Sequence, residues 1–124
     1  GFHDTDINDI KIEGNSIILY FDDGVYILDE FNNETNLSKP ISMNIKIDNK
    51  YFKTIDVIEI REIFPKYRSL DFKTLKKYLK KDKLGINNVY YSNFNSTILI
   101  ECGIGKKILL IFIEECFEIN YNFI

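Results

Sequence analysis

The sequence contains no alanine, glutamine or tryptophan, and its 124 residues include only two cysteines, two prolines and one histidine. Two cysteines and one histidine are too few for a typical structural zinc site, which takes four Cys or His ligands. The longest apolar run, Ile108–Ile113, falls far short of the roughly 18 residues that cross a membrane as a helix. We therefore predict no metal, no cofactor and no membrane partner.

The two cysteines favour a reducing compartment. Cys102 and Cys116 lie on strand-like segments that we expect to form a hairpin around Gly103–Lys107. In a tight hairpin Cys102 faces a residue near Ile108, far from Cys116, so the sequence predicts buried free thiols rather than a disulfide. Free thiols are typical of cytoplasmic proteins. Because no secretory signal peptide is visible, we predict a cytoplasmic location.

Charge is unevenly distributed behind a formal net charge of −3. Residues 1–48 carry ten acids and three bases, a net charge of −7, whereas residues 71–83 carry six lysines and two acids, a net charge of +4. If these segments lie apart in space, the molecule is bipolar and its N-terminal part steers a basic partner toward itself.

One stretch, Asp71–Leu84, is predicted as the only helix. Its apolar residues recur at helical spacing and form one stripe; they are Phe72, Leu75, Tyr78 and Leu79. Asp71 suits the N-cap, where its carboxylate can accept a backbone N–H. Gly85 suits the left-handed residue that often follows a helix.

The opposite side of this helix is rich in lysine and has two interpretations. Such a face is ordinarily a solvated surface. The alternative is a nucleic-acid- or phosphate-binding surface, which predicts binding that weakens steeply with salt; its residues would be Lys73, Lys76, Lys77 and Lys80. The face lacks arginine, and Tyr78 lies on the apolar side, so base readout is poorly supported. Nucleic acid is therefore the less favoured partner.

The remaining chain is predicted as eight or nine strands joined by short polar turns, in a single domain, 1–124. The segments are 7–13, 16–21, 25–28, 41–48, 51–64, 88–94, 96–102, 107–117 and 117–123. The first three form a meander, Asp29–Pro40 is a polar loop, and Lys107–Phe117 is the best candidate for a central strand. Short turns imply antiparallel neighbours. The predicted fold is α+β: a mainly antiparallel sheet, curved or partly open as a barrel, with the helix packed on one face.

No catalytic motif stands out, and we predict that the chain is not an enzyme. His3-Asp4 is the only histidine beside a carboxylate, but adjacency in sequence does not supply the geometry of a general base. Glu114-Glu115 are neighbours on a strand and point to opposite faces, which argues against a glycosidase-like pair. The segment Gly103–Lys107 lacks the spacing of a phosphate loop. A small enzyme built on these residues is the least favoured of three hypotheses.

The opening residues carry a resemblance to a known class of protein. Phe2-His3-Asp4 precedes a strand containing Ile7, Ile10 and Ile12, then Gly14-Asn15 and the strand Ile17–Phe21. This pattern resembles the start of small bacterial immunity proteins in contact-dependent growth inhibition and other polymorphic-toxin systems. The resemblance implies a protein that binds and neutralises a cognate toxin, often a basic nuclease or RNase, by blocking its active site or a nearby surface. It assigns no catalytic residue.

The charge distribution suggests where such a toxin would bind. The first candidates are the acids of the Asp22-Asp23 turn and the following loop: Asp22, Asp23, Asp29, Glu30 and Glu34. Their carboxylates could pair with lysine and arginine of a toxin, whereas the ordinary alternative is a solvated acidic surface. The edges of an open antiparallel sheet can also pair with another chain, which leaves a homodimer open.

Overall fold

The computed structural model describes residues 4–28, 34–48, 50 and 52–124. These residues form twelve strands, one α-helix and a 3₁₀ turn. The strands are β1 (Asp6–Ile7), β2 (Asp9–Glu13), β3 (Ser16–Phe21), β4 (Tyr26–Leu28), β5 (Glu34–Leu37), β6 (Ile41–Ile47), β7 (Ile58–Phe64), β8 (Arg68–Leu70), β9 (Leu84–Ser92), β10 (Thr97–Ile104), β11 (Lys107–Ile113) and β12 (Cys116–Phe123). Helix α1 spans Phe72–Leu79, and the 3₁₀ turn spans Thr54–Val57.

Ten of the strands form two antiparallel sheets. The large sheet has six strands in the order β1-β9-β10-β11-β7-β8, and the small sheet has four in the order β12-β6-β3-β2. One apolar cluster takes side chains from both, such as Ile17 and Ile45 of the small sheet and Ile100 and Ile111 of the large sheet. The predicted class, mainly antiparallel α+β, is confirmed, and the sheets of the described chain do not close into a barrel.

Residues that point into the core alternate strictly with residues that point away from it. In β10, Ile98, Ile100, Cys102 and Ile104 are buried while the residues between them are half-buried. This is the period of two that sends every second side chain to one face of a sheet. Strand β11 lies between β10 and β7, which confirms that the most hydrophobic segment forms a central strand.

The helix begins as predicted but ends earlier. Asp71 is the N-cap, and its Oδ1 accepts the Thr74 N–H at 2.7 Å. The prediction that α1 reaches Leu84 is wrong, because Leu84 is fully buried and pairs with Ile7 at the start of β9. Gly85 therefore lies in a strand and does not terminate the helix. Strand pairing across the chain outweighs the local helical preference of the lysine-rich segment.

Three connections also differ from prediction. Strand β3 pairs with β2 and β6, while β4 pairs with β5, so the first three segments are not a meander and the expected loop at 29–40 contains the strand Glu34–Leu37. The expected long strand at 51–64 starts with the 3₁₀ turn, where the buried Thr54 hydroxyl donates to the Gly14 carbonyl at 2.6 Å. The expected strand at 107–117 is split by Glu115, whose φ of 60° redirects the chain into the small sheet.

Candidate protein-binding surfaces

The predicted acidic turn is exposed and held in place. Asp22 and Asp23 are exposed at the turn after β3, and the Asp22 N–H donates to Asn8 Oδ1 at 2.7 Å. Gly24 follows with φ of 79°, and a Cβ there would lie 2.2 Å from the Ser38 carbonyl oxygen. Only glycine fits this close approach of two backbones. The carboxylates therefore stand on a turn of defined shape.

The acidic N-terminal segment and the lysine-rich segment 71–83 meet in space. Lys83 Nζ lies 2.7 Å from Asp23 Oδ2, and the hydrogen bond to Asp23 raises the pKa of Lys83. Lys76 Nζ pairs with Asp9 Oδ1 and donates to the Ile10 carbonyl at 2.9 Å. A bipolar molecule would need the two segments to lie apart. At these points they do not, because ion pairs join them.

The predicted site residues fall into three groups. Asp23 and Lys76 are engaged within the chain. Asp22 is exposed, as are the alternative candidates Lys73, Lys77 and Lys80. Asp29 and Glu30 lie outside the described residues; Glu34 is in β5, and its side chain also lies outside the description. The lysine helix thus presents a smaller free basic surface than its sequence indicates.

The outer face of the large sheet carries an apolar surface that the sequence analysis did not single out. In β11, Leu109, Ile111 and Ile113 point into the core, so Ile108, Leu110 and Phe112 point outward. Strand register places Phe112 beside Leu99, Leu99 beside Tyr90, and Ile108 beside Phe64. We call this set the outer-face patch: Phe64, Tyr90, Leu99, Ile108, Leu110 and Phe112. Phe64 is 54% exposed and Tyr90 50% exposed.

Arg61 and Tyr67 form a polar rim beside this patch. Arg61 Nε donates to Glu59 Oε1 at 2.7 Å, and its Nη1 donates to the Tyr67 hydroxyl at 2.7 Å. The guanidinium carbon also lies 5.7 Å from the centre of the Tyr67 ring. Arginine and tyrosine are enriched among the residues that dominate protein–protein binding. The only sequence signal for this face was the unbroken apolar run of β11, which is typical of a strand covered on both sides.

A buried carboxylate ties the large sheet to the helix. Glu62 is fully buried, and its Oε1 lies 3.1 Å from Arg68 Nη2 and 3.4 Å from Lys107 Nζ. Arg68 Nη2 also donates to the Tyr78 hydroxyl at 3.3 Å, and Lys107 Nζ lies 5.6 Å from the centre of the Tyr78 ring. Burial raises the pKa of Glu62, but the hydrogen bonds from Arg68 and Lys107 outweigh it, and the net pKa is lowered. We interpret this as a structural cluster joining β7, β8, β11 and α1.

The cysteines are free and buried, as predicted. Burial raises the pKa of Cys102 to about 12 and that of Cys116 to about 11. A thiol with so high a pKa holds almost no thiolate near neutral pH, and thiolate is the nucleophilic and metal-binding form. The part of the chain that the structure describes contains no cluster of three or more His, Cys, Asp or Glu residues suited to a metal ion.

Small apolar space remains between the sheets. A cavity of about 90 Å³ is lined by side chains that include Leu19, Met43, Ile86 and Ile119. This volume is well below the roughly 300 Å³ at which small-molecule pockets begin. The cavity is therefore too small to hold a typical small-molecule ligand.

Of the described surfaces, the outer-face patch and the acidic turn are the ones that suit a basic protein partner. Within the described ranges, no helix is long and apolar enough to span a bilayer. No protein-family model matches the chain, and neither a curated protein nor a solved structure shows significant similarity to it.

Proposed function

We propose that this chain is an immunity-type protein that binds and neutralises a cognate toxin in the cytoplasm. The observation that carries the proposal is the outer-face patch. Its central strand, β11, has the composition of a strand covered on both sides, yet Ile108 and its neighbour Phe64 are open to solvent. Contiguous exposed apolar side chains with a polar rim mark protein interaction sites. A bound partner protein would bury these side chains.

The charge of the chain favours a basic partner. The net charge is −3, and the acidic turn exposes Asp22 and Asp23. Complementary charge mainly accelerates association and suppresses wrong partners. The toxin class that fits is a basic nuclease or RNase domain, whose substrate-binding surface attracts acids. We propose that the outer-face patch supplies most of the binding free energy and that the acidic turn accelerates association.

Neutralisation in a cell sets the size of the interface. Nanomolar affinity corresponds to about −12 kcal/mol, and a standard interface buries roughly 1,600 Å². Binding energy concentrates in a desolvated apolar centre surrounded by polar groups. The outer-face patch suits that centre, and Arg61 with Tyr67 suits the rim.

Co-expression with a toxin tests the function. The proposal predicts that the gene immediately upstream encodes the toxin, and its toxin domain, expressed from an inducible promoter, is the partner to use. Wild type should restore growth, and Ile108→Glu should not, because it places a charge within the patch, beside Phe64. Ile55→Glu is the matched control: Ile55 is 46% exposed and Ile108 39%, but Ile55 lies on the 3₁₀ turn, outside the patch.

Two outcomes would contradict the proposal, and a third would show that the variants do not fold. Growth arrest with wild type contradicts the immunity function itself. Protection by Ile108→Glu equal to wild type contradicts the assignment of the interface to the patch. Loss of protection with Ile55→Glu as well as Ile108→Glu would indicate a general folding defect, which circular dichroism of both purified variants checks directly.

Asp22→Asn should change the rate of toxin binding more than its strength. Removing one steering charge is expected to lower the association rate several-fold at low salt and hardly at all at high salt, because salt screens exposed charges. The dissociation rate should stay near wild type. Surface plasmon resonance at two salt concentrations measures both rates; a dissociation rate that rises strongly would instead place Asp22 in the bound contact.

A further inference from the structure

The two sheets have four edge strands, and within the described residues β12 is the longest and least protected of the four. Strand β1 has two residues and β8 has three. Strand β2 alternates charged residues, Asp9, Lys11 and Glu13, and its Ile10 carbonyl is covered by Lys76. Short length, charge and covering groups are the usual ways to keep an edge from pairing with another chain. Strand β12 has eight residues, no lysine and no proline, and Glu118 is its single charge.

Hydrogen-bond alternation shows which part of β12 faces outward. The Ile124 N–H donates to the Pro40 carbonyl at 3.0 Å, so the even-numbered residues from Glu118 onward, past the bulge at Phe117, bond toward β6. Hydrogen-bonded and non-bonded positions alternate in an antiparallel ladder, so the backbone groups of Ile119 and Phe123 point to the open edge. The Cys116 N–H donates a hydrogen bond to the Ser96 carbonyl at 2.9 Å. An added strand can therefore pair only beyond Cys116.

Large aromatic side chains along this edge are exposed. Phe117 is 61% exposed and Phe123 is 73% exposed, although both lie in a strand of the small sheet. Between them stand Glu118, Asn120 and Asn122, all exposed. An edge with aromatic side chains and neutral amides is suited to pairing with a strand of the same composition.

We infer that two copies of this chain pair β12 against β12 in antiparallel orientation and join their small sheets into one. A two-fold axis at Asn120 makes odd-numbered residues meet odd-numbered ones, as the outward backbone groups require. This register uses residues 117–123, the longest span available beyond Cys116. It places Phe117 opposite the partner's Phe123, and Glu118 opposite the partner's Asn122, so no like charges meet.

The symmetry is that of an isologous dimer, in which each copy offers the same surface. The inference is independent of the toxin, because β12 belongs to the small sheet and the outer-face patch to the large sheet. Its direct consequence is a solution mass of twice the 14.7 kDa chain, measured by sedimentation equilibrium. A chain that stays monomeric at all concentrations overturns the proposal.

Charge variants test the register. Asn120→Lys places lysine opposite lysine at the two-fold axis, where like charges are destabilising; we expect dimer dissociation to rise at least about tenfold. Asn122→Lys is the matched control on the same exposed face, and it places lysine opposite the partner's Glu118. It should leave the dimer as strong as wild type or stronger. Equal weakening by both variants, with folding intact by circular dichroism, overturns this register.

Cross-linking gives a second, geometric test. Residue 120 meets its own copy at a non-hydrogen-bonded position, where Cα atoms are about 4.5 Å apart, within the range that a disulfide spans. Asn120→Cys should form a covalent dimer under mild oxidation, because the native thiols are buried. Asn88→Cys, at an exposed position of β9, is the control. Equal rates of cross-linking in the two variants overturn the proposal.

Discussion

Leu75→Ala should lower the free energy of unfolding by about 2–5 kcal/mol, the usual cost of removing a large buried side chain and leaving a cavity. Leu75 is fully buried, with 0% of its surface accessible to solvent, and it is the one buried residue of α1. Domains of this kind are stable by about 5–15 kcal/mol in total. The substitution should therefore remove a large fraction of the stability and loosen the helix from the sheets.

Urea denaturation followed by circular dichroism measures this change. Lys77→Ala is the matched control on the same helix, because Lys77 is exposed and surface substitutions usually change stability by less than about 0.5 kcal/mol. A loss below about 1 kcal/mol for Leu75→Ala would contradict the packing described here, since cavities at such sites cost more.

Glu62→Gln should destabilise the protein at neutral pH and have much less effect in acid. The substitution removes the charge that Arg68 and Lys107 share. Hydrogen bonds to charged groups contribute about 1.5–3 kcal/mol each, and a buried group that loses its partners costs more than an exposed one. We expect a loss of about 1–3 kcal/mol at pH 7.

The pH dependence follows from the lowered pKa of Glu62 in the folded state. A carboxylate whose folded pKa lies below its unfolded value, about 4.3, stabilises the fold above the unfolded pKa. That contribution is lost as the pH falls through the folded pKa. The gap between wild type and Glu62→Gln should therefore be largest at pH 7, narrow as the pH falls past the unfolded pKa of about 4.3, and close only below the folded pKa.

Thermal unfolding across this pH range measures the gap. Glu114→Gln, at an exposed turn, makes the same change in net charge outside the cluster and controls for it. A gap between wild type and Glu62→Gln that stays constant from pH 7 to acid would show that the carboxylate is not stabilised by its cations. The loss of stability would then reflect packing alone.

The local sequence pattern predicted most of the strands and the start of the helix, but not which strands pair with each other. The alternation in β10 and β11 and the N-cap Asp71 are properties of neighbouring residues, and these predictions were confirmed. The pairing of Leu84 with Ile7, which ends the helix early, depends on residues far apart in sequence. The split of 107–117 depends on the conformation of a single residue, Glu115. No periodicity reveals such events.

The binding surfaces show the same limit. Composition indicated that β11 is central. The alternation of side chains along a strand does not show which of its two faces is left uncovered, and here the uncovered face carries the outer-face patch. The acidic turn was predicted to be exposed, and it is, but Asp23 meets Lys83 across 60 residues of chain. Glu62 lies on the inward phase of β7, yet its cations, Arg68 and Lys107, come from two other strands.

The proposed function predicts a toxin gene immediately upstream, and the affinity of this chain for that toxin domain is the quantity that decides it. Isothermal titration calorimetry should give a one-to-one complex with nanomolar affinity, about −12 kcal/mol. Ile108→Glu should bind about 100-fold more weakly, because it would bury an unpaired charge against the partner's apolar surface, while Ile55→Glu should bind like wild type. No measurable binding by wild type would contradict the proposed function, and equal binding by wild type and Ile108→Glu would contradict the role of the outer-face patch.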